Sequence, residues 1–374
     1  MTDFYEYYKT WRDFPIAEHF RSVTESMVAA ILQKQRLSVK DFFALLSPAA
    51  EGFLEEMAQR SHDLTIRNFG RSVLLFTPMY LSNYCSNRCV YCGFNVDNTI
   101  TRHHLSFSEV ETEAQEIAKS GLKHILLLTG EDKRRASIEY LSQCVRIIEK
   151  YFTAVGIEIY PLETEGYRTL VENGVDSLTL FQETYNETLY EKLHPGGPKR
   201  NYRFRLAGPE RGCAAGMRAV NVGGLLGLDD WRREAFFTGL HADWLQSRWP
   251  EVAVGVSLPR MRPHAGKFQP DFPISDRHLV QVMTALRLFM PRAGVTISTR
   301  EGAQFRDNIL PLGVTTMSAG ASTAVGGHSR QDADSTSQFD ISDERNVPEM
   351  VEALKGLGYQ PVYKDWQPIG ASLP

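Results

Sequence analysis

The chain has 374 residues, 43% hydrophobic and 23% charged, an ordinary balance for a soluble globular protein and enough for one large domain or two modest ones. A net charge of −4 leaves no basic field to attract nucleic acid, and no uncharged apolar run approaches the ~20 residues of a membrane span. Five cysteines, three of them clustered, do not make a disulfide framework, and a reducing cytoplasm is the natural setting.

The start, "MTDFYEYYKTWRDF", carries charges and aromatics where a signal peptide needs an apolar core. Residues 1–70 read as a helical extension: "SVTESMVAAILQKQ" and "SVKDFFALLSPAAEGFLEEMAQRSHDL" space their apolar residues helically, each with a Ser ahead as a cap. From there the pattern alternates. Short apolar or β-branched runs appear at "SVLLFTPMY", "HILLLTG", "VGIEIYP", "DSLTLFQ", "RAVNVGG", "VAVGVSL", "GVTISTR" and "VTTMSAG". Helical segments separate most of them. In "SFSEVETEAQEIAKSG", Ser108 and Glu111 are expected to form a capping box, with Gly121 as the stop. The fourth and seventh connections are irregular. Eight strands alternating with helices predict an α/β fold, a closed (β/α)8 TIM-type barrel over 71–325, with an open doubly wound sheet as the competing architecture. Residues 326–374 read as a polar loop (326–345), a helix in "VPEMVEALKGLGYQ" and an aromatic tail, "PVYKDWQP".

Chemistry in such a barrel gathers where strands end. The first strand runs into "NYCSNRCVYCGF", in which Cys85, Cys89 and Cys92 form a C-x3-C-x2-C array with no fourth cysteine or histidine near it. Three thiolates on a four-iron cubane leave one iron open to a small molecule. Zinc with a distant fourth ligand and unrelated buried thiols are the other readings, although zinc ligands usually come in pairs. Tyr84, Val90, Tyr91 and Phe94 would shield such a cluster. Cys144 lies in an apolar helical stripe, and Cys213 has no partner pattern. The second strand ends in Thr129-Gly130-Glu131, the third carries Glu158 and Tyr160, the fourth ends in Gln182 and Glu183, and the fifth in Gly223-Gly224. The sixth reaches Arg260, the seventh Arg300 and the eighth Ser318. Taken singly, each of these is more often a solvated loop end than a functional group. An arginine leaving the apolar strand "GVTISTR" stands out, because its planar fork suits a carboxylate.

The array "CSNRCVYC" resembles that of the radical S-adenosylmethionine enzymes. The resemblance implies a [4Fe–4S] cluster on Cys85, Cys89 and Cys92, with S-adenosylmethionine on the open iron and one-electron cleavage to a 5′-deoxyadenosyl radical. It places Gly130 and Glu131 at the amino group of the methionine moiety, in an element whose usual first glycine is Thr129 here. Tyr91 falls near the adenine, and Gly223 and Gly227 in "VNVGGLLGLDD" border the adenosine. Glu183 and Arg205 add contacts to the cofactor.

"FQETYNETLYEKLHPGGPKRNYRFRL", "GVSLPRMRP" and "STREGAQFRDNILPLGVTTMSAG" resemble the aromatic amino acid lyase subgroup, and within it the tyrosine lyases of thiamine thiazole biosynthesis. These would cut the Cα–Cβ bond of L-tyrosine to give 2-iminoacetate and p-cresol; a tryptophan lyase is the alternative, and a non-catalytic metal protein a distant one. Arg300 would hold the substrate carboxylate, Ser318 would bond the same end, and Tyr84 and Asn83 would line the cavity. Glu158, Gln182 and His264 are each able to meet the phenol hydroxyl, and the sequence does not choose among them. A low-potential electron donor and the thiazole synthase that consumes 2-iminoacetate are the expected partners. The hydrogenase-maturation relatives carry further cysteines in a C-terminal extension. Here none follows Cys213, so second-cluster chemistry is expected to be absent.

Overall fold

The computed structural model describes residues 3–330, 335–364 and 366. Eight parallel strands close on themselves: β1 (Ser72–Ser82), β2 (His124–Thr129), β3 (Ala154–Glu158), β4 (Val175–Glu183), β5 (Ala219–Gly224), β6 (Ala253–Ser257), β7 (Gly294–Ile297) and β8 (Thr316–Ser318). β1 pairs with both β2 and β8, which shuts the ring and excludes the open sheet. All eight expected strands are present in the expected order. Their cores are β-branched and apolar because helices cover the outside and the inward side chains line the middle.

A ninth strand, β9 (Gln360–Val362), was not expected. Leu74 pairs with Thr316 on one edge and with Val362 on the other, so β9 adds to the foot of β1 below β2. Three residues, one a proline, are too few to show a period. The rest of the expected aromatic tail, at 365 and 367–368, and part of the polar loop, at 331–334, lie outside the described residues.

The helices before β1 are Phe4–Arg12, Ile16–Ser22, Glu25–Ile31, Val39–Leu45 and Leu54–Phe69. They share one core with the outer helices of the barrel: Phe4 stacks on His241 at 4.0 Å, and Phe42 on Phe289 at 4.6 Å. Ser38 caps its helix reciprocally with Asp41 as expected, whereas Thr24, not the earlier serine, caps Glu25–Ile31. The capping box after β1 is also displaced. It pairs Ser106 with Glu109, because the same Ser-x-x-acid spacing occurs two residues earlier and starting there gains hydrogen-bonded helix. Ser108 lies inside that helix, and Glu111 instead accepts from Lys150 and Tyr151, each at 3.0 Å. The irregular fourth connection holds three short helices, Glu187–Leu193, Tyr202–Leu206 and Gly208–Ala214.

Candidate active site

At the C-terminal end of β1 the backbone leaves the sheet as a loop without helix, and this loop carries the three cysteines. Other parts of the chain fix its path. Arg102 donates to the carbonyls of Asn83 (2.6 Å), Phe94 (2.8 Å) and Asn95 (2.6 Å), and the Arg88 and Val90 amides donate to Gly196 and Leu193. Gly130, at the end of β2, lies so close that a Cβ there would meet the Tyr84 carbonyl oxygen at 2.3 Å. Only glycine fits.

Cys89 is buried, Cys85 and Cys92 are half-buried, and all three are free thiols. Burial pushes the Cys89 thiol up to about 12; Lys199 pulls it down, and Cys92 and Cys85 push it further up. Ionising the Cys89 thiol without a metal is therefore costly, and metal ligation removes that cost by stabilising the thiolate. Among the described residues no three His, Cys, Asp or Glu side chains converge on one ion. A zinc ion needs ligand atoms ~2.0–2.3 Å from a single point; a cubane is a larger body held at its corners. Three cysteines that do not converge on one point suit the corners of such a body better than a lone zinc ion. Leu193, Leu225 and Leu228 pack with Cys89 and Tyr91 and keep water from that side.

Next to the cysteines, Ser86 Oγ and its amide both donate to the Glu131 carbonyl, and Asn87 Nδ2 donates to Glu131 Oε2 at 2.7 Å. Asn87 Oδ1 in turn accepts from the Lys199 amide at 2.8 Å. Glu183 ends β4 with φ of 72°, the left-handed region, the sole such non-glycine among the described residues. Its carboxylate lies 2.6 Å from Lys199 Nζ and 3.2 Å from Arg205 Nη2, and Arg205 Nε donates to the Phe181 carbonyl. Burial works against ionising Glu183, but Lys199 and Arg205 outweigh it and hold the carboxyl below its ordinary value. Tyr91 donates to His194 Nε2 at 2.7 Å. Nδ1 of that histidine faces the Tyr190 carbonyl and must carry the proton, and burial pushes its pKa down to about 3. Gly223 is another close approach, since a Cβ would meet the Ser257 carbonyl oxygen at 2.5 Å.

A cavity of about 420 Å³ runs through the barrel interior, and Arg300, Ser318, Glu158, Tyr80 and Phe339 line its upper part. Arg300 stacks on Phe339, 3.4 Å from the ring centre, and among the described residues no carboxylate lies within ion-pair distance of it. Burial pulls its pKa down, and Tyr80 and Glu158 oppose that only in part. The Ser318 hydroxyl accepts from the Thr299 amide at 3.0 Å, which leaves its proton free to donate into the cavity. Burial pushes Glu158 up to about 7, opposed by Arg300 and reinforced by Glu183.

Of the four residues expected at the substrate, Arg300 and Ser318 line this cavity and Tyr84 and Asn83 do not. The Asn83 amide is spent on the backbone at Thr101 and His103, holding the loop, and the Tyr84 ring lies under the Arg135 guanidinium. Of the three expected at the phenol, Glu158 lines the cavity; Gln182 and His264 do not. Arg260 is occupied by Glu301 and Asp276, and Tyr160 by the Ala136 carbonyl. Cys144 is buried in the apolar core, as expected. Lys199 and Asn87, which brace Glu183 and Glu131, are not singled out by the sequence. Lys199 sits in "HPGGPKR" and Asn87 between the first two cysteines, and nothing in either stretch alone announces a role.

Comparisons with known proteins place the chain in a family. The model of the Radical SAM superfamily matches residues 79–238, and that of the Biotin and Thiamin Synthesis associated domain matches 257–360. The chain is 37% identical over 344 residues to the 2-iminoacetate synthases of Salmonella typhimurium and Escherichia coli, covering 92% of itself and 91% of each. Among solved structures, the HydG maturase of the FeFe-hydrogenase from Carboxydothermus hydrogenoformans superposes with a TM-score of 0.86 at 31% identity, over 93% of this chain and 82% of that one. Among the described residues no helix is long and apolar enough to cross a membrane.

Proposed function

We infer, for a chain that belongs to the 2-iminoacetate synthase family of radical S-adenosylmethionine enzymes, that the open end of its barrel cleaves L-tyrosine at Cα–Cβ, giving 2-iminoacetate and p-cresol with 5′-deoxyadenosine and methionine as co-products. It is a carbon–carbon lyase using a [4Fe–4S] cluster and S-adenosylmethionine. When bound, these supply a 5′-deoxyadenosyl radical by one-electron cleavage of the sulfonium.

Cys85, Cys89 and Cys92 hold the cluster. Glu131, steadied by Asn87, receives the amino group of the methionine moiety, and Gly130 permits the approach. Tyr91 and Gly223 border the adenosine. Glu183, charged and clamped between Lys199 and Arg205, faces the same side. Arg300 binds the tyrosine carboxylate, Ser318 donates to the same end, and Glu158 meets the phenol hydroxyl. The observation that carries this reading is an arginine stacked on Phe339, with no acid paired to it among the described residues, in a cavity shared with Ser318 and Glu158.

Charge and atom balance call for two electrons and one proton per tyrosine: one electron to open the sulfonium, and one, with the proton, to turn the 4-hydroxybenzyl fragment into p-cresol. A low-potential one-electron donor is therefore a required partner. The imine product hydrolyses in water, which favours hand-over to a thiazole synthase; the match to a domain of biotin and thiamin synthesis supports that partner. Free cysteines throughout support a reducing, cytoplasmic setting.

The test is anaerobic reconstitution with iron and sulfide, then S-adenosylmethionine, reductant and either tyrosine or tryptophan. Tyrosine-dependent 5′-deoxyadenosine together with p-cresol is the expected result. 5′-Deoxyadenosine without p-cresol moves the protein to another substrate.

A further inference from the structure

Residues 337–340 cross the mouth of the barrel as a strap. The Gln338 amide donates to the Thr323 carbonyl (3.2 Å), Thr323 Oγ1 donates to the Phe339 carbonyl (2.8 Å), and the Asp340 amide donates to the Pro263 carbonyl (2.9 Å). The strap touches both halves of the site. Phe339 carries the Arg300 guanidinium, while Gln338 turns the other way, toward the cysteine loop. The loop comes up to meet it: a Cβ on Gly93, next to the third cysteine, would strike the Gln338 carbonyl oxygen at 2.6 Å.

The Gln338 amide lies between Tyr80 and Cys92. Tyr80 donates its hydroxyl to Gln338 Oε1 at 2.7 Å, and Gln338 Nε2 lies 3.9 Å from Cys92 Sγ. The opposite amide orientation would turn a carbonyl oxygen toward a sulfur that is anionic whenever it holds iron. Tyr80 and Cys92 therefore fix the orientation together. An N–H directed at a ligating sulfur stabilises the more negative, reduced state of a cluster and raises its potential.

We propose that Gln338 is a positioning residue that acts through Cys92, its side-chain N–H raising the reduction potential of the bound cluster while Tyr80 holds the amide in place. The proposal rests on the cluster reading above. The redox event concerned is entry of one electron into the cluster, 2+ to 1+, from a low-potential one-electron donor. Gln338 touches neither substrate nor reacting atom, so its effect shows in the potential, where a merely structural residue would leave it unmoved.

The experiment is a redox titration of the reconstituted full-length protein, without S-adenosylmethionine, with the reduced cluster followed by electron paramagnetic resonance. Gln338→Leu removes both polar atoms. Gln338→Glu keeps the acceptor for Tyr80 but turns an oxygen toward Cys92. Both are expected to retain four irons per chain, with Gln338→Leu melting lower than wild type because the Tyr80 hydroxyl loses its acceptor. At a fixed solution potential their ratio of reduced to oxidised cluster is expected to fall about threefold or more, a shift of ~28 mV at 59 mV per tenfold for one electron. If Gln338→Leu loads poorly, Gln338→Glu decides. A wild-type or higher potential in that fully loaded variant overturns the proposal. Wild-type protein that binds no four-iron cluster at all takes down the family reading and this proposal together, and the iron content separates that failure from the first.

Discussion

Asn87 Nδ2 lies 2.7 Å from Glu131 Oε2, so one charge-assisted hydrogen bond joins the loop of the first two cysteines to the turn just past the second strand. We predict that Asn87→Leu, which keeps volume and removes the donor, weakens S-adenosylmethionine binding about tenfold to a hundredfold, from the ~1.5–3 kcal/mol typical of hydrogen bonds to charged groups. Equilibrium dialysis on cluster-loaded protein reads this directly. Unchanged affinity at full iron content would remove Glu131 from the cofactor site.

Gly130→Ala tests the contact beneath the same loop. With the Tyr84 carbonyl oxygen 2.3 Å from the new Cβ, the loop must move, and no flexible side chain stands there to give way. The prediction is less than half the wild-type iron after reconstitution, with the far-ultraviolet circular dichroism of the barrel retained. Normal iron loading would show that the cysteines tolerate a displaced loop.

Arg300→Lys keeps the charge but loses the planar fork and the stacking on Phe339. Tyrosine affinity is predicted to fall at least tenfold, ~1.4 kcal/mol, with S-adenosylmethionine affinity nearly unchanged. Calorimetric titration of each ligand makes the comparison. Equal losses of both would sink the carboxylate assignment.

Glu158 gives the pH prediction. Burial raises its pKa from 4.5 to about 7, so the folded chain holds this proton more tightly than the unfolded one. Its stabilising contribution is full below pH 4.5, declines as the pH climbs toward 7, and levels off above that. In the cluster-free protein, Glu158→Gln should melt ~1–3 °C above wild type at pH 8 and level with it near pH 4.5. The same variant should flatten any inflection near pH 7 in the KM for tyrosine. A wild-type pH profile in the variant would place the phenol elsewhere.

The barrel was legible because each strand is a short β-branched run bounded by polar residues, and because the cysteine spacing is rare. What escaped notice depends on residues distant in the chain. The Asn87–Lys199 contact spans 112 positions and Gln338–Cys92 spans 246, and no local pattern encodes either. Arg300 was readable because its own strand presents it. Its place beside Cys85 points Asn83 at the cavity, but its amide is committed to the loop backbone at Thr101 and His103. Adjacency in sequence gave its position but not its direction. The phenol end is open in the sequence for the same reason: Glu158, Gln182 and His264 are equally polar on paper, and of the three only Glu158 lines the cavity.

β1 has the cysteine loop at its head and β9 clasped along its foot, where Leu74 pairs with Val362. A chain shortened before residue 360 would uncover the peptide groups of β1 at 72–74 and leave a free sheet edge in an otherwise closed ring. Free edges recruit other chains. Clipping a three-residue strand on the far side of the barrel from the cysteines would thus appear first as a solubility defect, and material lost to clumping could be mistaken for damage to the chemistry.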